Sequence, residues 1–175
     1  MEKTRTMPFE TGNMPFVREM LDTYNGKKPF PRPDEDELVL HFRLGDIIER
    51  SNASVTTMLS KGADPDHHTV YKSAIKSADE YLDNIAESGL PKVTIRGGSH
   101  RRYEYKKSRV YAGCLKRAIE TAGYGVKMEL DSGNPDADFY YMSFGRKIVV
   151  STGGFSRIIG ELVQLGGGEI IGRKF

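Results

Sequence analysis

A chain of 175 residues is long enough for one hydrophobic core and too short for two of comfortable size. Hydrophobic residues make up 38% and charged residues 29%, and no apolar run nears the roughly 20 residues of a membrane span, so no membrane partner is expected. A net charge of +2 does not argue for nucleic acid by itself, the N-terminus lacks the apolar stretch of a secretory signal, and the single cysteine excludes an internal disulfide framework; the expected location is the reducing cytoplasm.

Residues 1–37 are rich in Pro, Gly, Asn and charge, with one short helical candidate at 16–24, and read as an arm that packs on or precedes a domain spanning 38–175. The apolar run 37–43 behind an acidic turn predicts a buried strand, followed by a polar loop from 45 to about 66. Val70, Ala74, Ala78, Leu82 and Ile85 fall near helical spacing and predict a helix over 69–88, stopped by Gly89-Leu90-Pro91. A second strand is expected at 92–95, a helix at 108–122 and a third strand at 124–130. Cys114 falls in the apolar stripe of that helix with Tyr111, Leu115 and Ala118, and reads as packing. A short helix at 136–143, a strand at 147–151, a helix at 154–165 and a strand at 169–172 complete the chain. Strands and helices thus alternate five times, the signature of an α/β, doubly wound, mostly parallel sheet with helices on both faces. Ligands of such sheets bind beyond the carboxyl ends of the strands.

Four segments in those positions carry chemistry. Ser151-Thr152-Gly153-Gly154-Phe155-Ser156 joins a strand to a helix, and its glycines, hydroxyls and free first-turn N–H groups make either a phosphate cradle or an ordinary capped helix. His41 and Arg43 share one face of the first strand, and the Arg43 fork suits a phosphate, or an ion pair with Asp46. Asp131 follows the third strand, as a ribose or base acceptor or as a turn former, and Asp138 lies in the short helix. Residues 96–109 hold six Arg or Lys with two interleaved tyrosines, a patch for phosphates or single-stranded nucleic acid, or a solvated loop; Gly97, Gly98 and Ser99 fall on the ligand side. No P-loop, no Gly-x-Gly-x-x-Gly after the first strand and no zinc spacing is found, and the adjacent His67 and His68 point apart, so a metal site is not expected.

His41-x-Arg43-x-Gly45-Asp46 resembles the His-x-Arg-x-x-Asp motif of the α1,2-, α1,6- and protein O-fucosyltransferases, which share the GT-B fold. His67-His68-Thr69-Val70-Tyr71 is similar to the segment downstream of that motif. Asp138 to Ser143, then Ile148 to Thr152, then Gly154-Phe155-Ser156, resemble the family's closing Asp-x-x-x-Met-Ser … Ser-Thr-Phe-Ser run, in register over 38–165. The resemblance implies the donor-binding half of a glycosyltransferase using GDP-fucose or a related nucleotide-sugar, with inverting transfer to a glycan or protein hydroxyl and neither metal nor other cofactor. It implies that Arg43 holds the β-phosphate with support from His41. Ser151, Thr152, Gly154, Phe155 and Ser156 would wrap the diphosphate, Asp138 would fix the nucleotide end, and Asp46 or Glu49 would act as general base. Leu44 stands where many members carry a second arginine, Arg157-Ile158 replaces an aromatic pair, and one extra glycine interrupts the closing run. About 37 residues precede the first strand, too few for the acceptor half of a GT-B enzyme, which leaves a fragment, a minimal enzyme, or a module whose acceptor half comes from a homodimer or a second polypeptide. A non-catalytic nucleotide-binding module and a nucleic-acid binder working through 96–109 are the alternative readings.

Overall fold

The computed structural model describes residues 13–25, 30–43, 45–62, 75–98 and 105–172. Five strands, β1 (Glu37–His41), β2 (Lys92–Gly97), β3 (Gly125–Leu130), β4 (Lys147–Val149) and β5 (Glu169–Ile170), form one sheet in the order β3-β2-β1-β4-β5. Every pairing is parallel, with Leu38 opposite Val93 and Lys147, and Arg96 opposite both His41 and Glu129. The doubly wound α/β architecture expected from the alternation is therefore present. Seven helices are described: α1 (Met14–Asn25), α2 (Asp46–Glu49), α3 (Val55–Lys61), α4 (Ala78–Ser88), α5 (Lys106–Thr121), α6 (Pro135–Ser143) and α7 (Gly154–Leu165).

Strand alternation divides the core in two. Leu38, Leu40, Phe42, Val93, Ile95 and Val149 pack against α2–α5 through Ile48, Met58, Ile85, Tyr111 and Leu115. The opposite face, with Val39, Ile148 and Val150, packs against Tyr141 and Met142 of α6 and Ile159 and Val163 of α7. Both faces of the central strands are covered, which is why those strands read as continuous apolar runs. On β2 the α6/α7 side falls to Thr94 and Arg96, both buried.

The arm helix α1 contacts α7, and Arg18 ties it down by donating to the carbonyls of Ser143 and Leu162, each at 3.2 Å. Those carbonyls belong to the last turns of α6 and α7, where a cation is favoured. The Arg18 and Arg32 guanidiniums lie 4.1 and 3.8 Å from the centre of the Phe144 ring.

Several boundaries differ from the sequence expectation. The polar loop contains α2 and α3; α3 is held by local chemistry, with the Ser54 hydroxyl accepting from Thr57 N–H and Gly62 closing the other end. Within the described part of the expected 69–88 helix, α4 begins at Ala78, where Ser77 and Glu80 form a reciprocal capping box that fixes the first turn. Residues 63–74, and with them the His67–Tyr71 segment, lie outside the described residues. Strand β1 ends at His41 and β4 at Val149, earlier than expected, whereas β2 runs on to Gly97. Cys114 is half-buried on α5 rather than part of its core.

Candidate functional site

The order in which strands are added reverses between β1 and β4: β2 and β3 lie to one side of β1, and β4 and β5 to the other. The elements that follow those two strands pack on opposite faces of the sheet, and the carboxyl ends between them are where doubly wound sheets take ligands. The residues after β1 and β4 are the two segments singled out by sequence, and the fold brings them together.

Gly153 is the N-cap residue of α7, with φ 100° and ψ 172°, a backbone region essentially reserved for glycine. No side chain caps the helix, so its first N–H groups are not taken up by a capping residue. Arg43 approaches the same point, since a Cβ on Gly153 would stand 3.0 Å from its Nη1. Beneath this turn the Ser151 and Thr152 hydroxyls are buried with no hydrogen-bond partner. Such a hydroxyl costs about 1–3 kcal/mol unless something meets it, and two stand in succession at this helix N-terminus. An anion bearing several oxygens fits that need.

His41 supports this turn from below. Its Nδ1 lies 3.0 Å from the Ser156 hydroxyl, which itself donates to the Thr152 carbonyl at 3.1 Å. A hydroxyl has one proton to give, so Nδ1–H is the donor to Ser156 and Nε2 carries the lone pair. Burial, with the Arg43 charge nearby, pushes the imidazole from its ordinary 6.5 down to about 4, so it is neutral at pH 7. A Ser–His contact invites comparison with a nucleophile and its base. Here the serine is 0% exposed and its proton is already directed to a carbonyl, so the pair works as a brace between β1 and α7.

The remaining candidates separate clearly. Asp138 is buried, and both its oxygens are engaged, one by Arg96 Nη1 at 2.8 Å and the other by the Ser132 hydroxyl at 2.6 Å. Arg96 also pairs with Glu129 through Nη2 and lies 3.9 Å from the Tyr141 ring centre. It is therefore a core residue and not part of the basic patch at 96–109. Within the same stretch Lys107 donates to Ser51 O at 2.5 Å and Arg109 pairs with Asp131 at 3.2 Å, while residues 99–104, Ser99 among them, fall outside the described residues. Asp131, at φ 56°, is the one described non-glycine residue in a left-handed conformation, in keeping with a turn-forming role. Glu49 accepts from Ser108 N–H at 2.7 Å and so caps the first turn of α5. Asp46 opens α2, next to Gly45, whose N–H is bonded to the Ser108 hydroxyl at 3.2 Å. Gly97 is required by the sheet itself, because a Cβ there would come within 2.1 Å of Phe42 O; Gly98 meets nothing within 4 Å. Phe155 is 46% exposed beside the cradle, its ring edge-on to His41 at 5.6 Å.

A cleft of about 330 Å³ lies at the other, amino-terminal end of the sheet, among Arg18, Glu35, Phe144, Arg146 and the glycines at 166–168. The N–H groups of those three glycines are already bonded to Leu162, Gln164 and Val163 carbonyls. Among the described residues no group of three His, Cys, Asp or Glu side chains is placed to hold a metal ion, and no helix is long and apolar enough to cross a membrane. No protein-family model matches the sequence, and no curated protein matches it significantly.

Proposed function

We propose that the protein binds a nucleoside diphosphate sugar in the crevice between β1 and β4, and that it takes part in a glycosyl transfer of the fucosyltransferase type. The observation that carries this reading is the pair of buried, unpartnered hydroxyls of Ser151 and Thr152 beneath the uncapped N-terminus of α7. Phosphate oxygens supply the acceptors that these hydroxyls and the α7 amides lack, and the Arg43 guanidinium adds a formal charge beside Gly153. GDP-fucose is the donor that the motif resemblance suggests. In such a transfer negative charge builds on the leaving diphosphate, so donors fixed in place beforehand bind the transition state more tightly than the ground state. Glu49 is committed to α5, which makes Asp46 the carboxylate we assign to the acceptor hydroxyl.

Calorimetric titration of the full chain with GDP, UDP and ADP tests the donor site. Saturable binding of GDP, weakened at least roughly tenfold in Arg43→Ala, is the expected outcome for a charge-assisted phosphate contact. Absence of binding by every nucleoside diphosphate, or an Arg43→Ala variant that binds as tightly as the parent, would overturn the proposal.

A further inference from the structure

The described residues leave five large apolar side chains exposed: Phe16, Met20, Val110, Phe155 and Leu165. Phe155 alone of these stands in the first turn of α7, beside the phosphate cradle. Its ring is not loose on the surface. The His41 imidazole meets it edge-on at 5.6 Å and 65°, and the Phe139 ring from α6 meets it at the same centroid distance and 46°. His41 is in turn fixed by Ser156, so the exposed ring is oriented by a chain of buried contacts. Holding an apolar ring half in water at a polar crevice runs against burial, which favours covering it.

We infer that Phe155, backed by Phe139, is a stacking platform for the planar base of the ligand, so that the crevice selects nucleotides over simple phosphates. The inference rests on the phosphate seat proposed above and adds a second subsite to it. Base–aromatic stacking tolerates any base, because every base offers a π-face, so the platform confers preference for a nucleotide without naming which one. Choice among bases then falls to polar groups elsewhere in the crevice.

The chain contains no tryptophan, so Phe155→Trp installs a single reporter on the platform. GDP is expected to quench its emission, whereas pyrophosphate, which fills only the phosphate seat, leaves it unchanged at saturation set by calorimetry. Phe155→Ala should lower GDP affinity roughly tenfold and leave pyrophosphate affinity as it was. Unchanged GDP affinity in Phe155→Ala, equal losses for both ligands, or no quenching by bound GDP would each overturn the platform while leaving the phosphate seat standing. Failure of the unaltered protein to bind pyrophosphate or GDP at all would remove the seat and the platform with it.

Discussion

Replacing Arg96 tests how the carboxyl edge of the sheet is held together. Arg96 is 5% exposed, its guanidinium forked between Asp138 at 2.8 Å and Glu129, and stacked on Tyr141. Arg96→Met keeps most of the stem volume but leaves Asp138, itself 6% exposed, with the Ser132 hydroxyl as its remaining hydrogen-bond partner. Removing one member of a buried pair costs about 3–5 kcal/mol, because the other charge stays buried without compensation. Glu129 is more exposed and can return to water, so the loss is dominated by Asp138. In a chain of this length 1 kcal/mol shifts Tm by roughly 2–4 °C, so the variant should melt some 6–20 °C lower. The double variant Arg96→Met/Asp138→Leu removes both charges together and should recover most of that loss, since well-packed apolar residues often replace a buried pair at little cost. Urea unfolding of the parent, both single variants and the double variant measures the coupling directly. A single-variant loss below about 1 kcal/mol, or losses that simply add in the double variant, would refute the account.

Gly97→Ala should destabilise by about 1–3 kcal/mol, because its Cβ would be driven to within 2.1 Å of the carbonyl oxygen of Phe42, a residue whose N–H donates to Arg96 O at 2.7 Å. Gly98→Ala, with nothing inside 4 Å, should stay within about 0.5 kcal/mol, and thermal melts of the two variants side by side check the contrast. His41 adds a pH dependence: its imidazole titrates near 4 in the folded protein against 6.5 in the open chain, so between those values the unfolded state holds more protons. Stability is therefore complete above about pH 6.5 and declines as the pH falls towards 4, by on the order of 3 kcal/mol. Urea midpoints at pH 7 and 4.5 should show this slope in the parent and a shallower one in His41→Gln; equal slopes would remove His41 as its source.

What was legible in the sequence was whatever repeats over short distances. The strands stood out because Leu38-Val39-Leu40 and Ile148-Val149-Val150 are buried on both faces and leave no polar interruption. Helix α3 did not stand out, because only Met58 of its seven residues is buried and two threonines weaken its helical period; the signal lay in the caps, Ser54 and Gly62. The start of α4 was likewise written in Ser77-x-x-Glu80, a pattern outweighed by the apolar spacing upstream. Arg96 was misplaced because five neighbouring cations made it look like part of a loop. The strand period would have placed it: with Val93 and Ile95 facing one side, Thr94 and Arg96 face the other, beside His41. The His41–Ser156 brace joins residues 115 positions apart, and no local pattern announces such a contact.

The polar groups of the crevice fall into two sets, and the division decides what each can contribute. His41, Ser156, Asp138 and Glu49 have hydrogen bonds to other parts of the chain, and each bond ties the crevice to a neighbouring element: β1 to α7, β2 to α6, α2 to α5. A ligand that recruited Asp138 would have to break a buried ion pair, at a cost comparable to what the contact could return. Ser151 and Thr152 present the opposite case, since their hydroxyls are buried without partners before any ligand arrives. Contacts with those groups relieve a penalty instead of exchanging one bond for another, once the side chains turn to meet the ligand. Affinity should therefore reside mainly in the turn after β4, with Arg43 beside it, and substitutions in the first set should act on binding through stability and alignment. Asp138→Asn is the sharpest discriminator between this division and the role implied by the motif resemblance. It should lower the melting temperature while GDP affinity, measured well below that temperature, changes less than about threefold. A large loss of GDP affinity at unchanged stability would instead place Asp138 on the ligand.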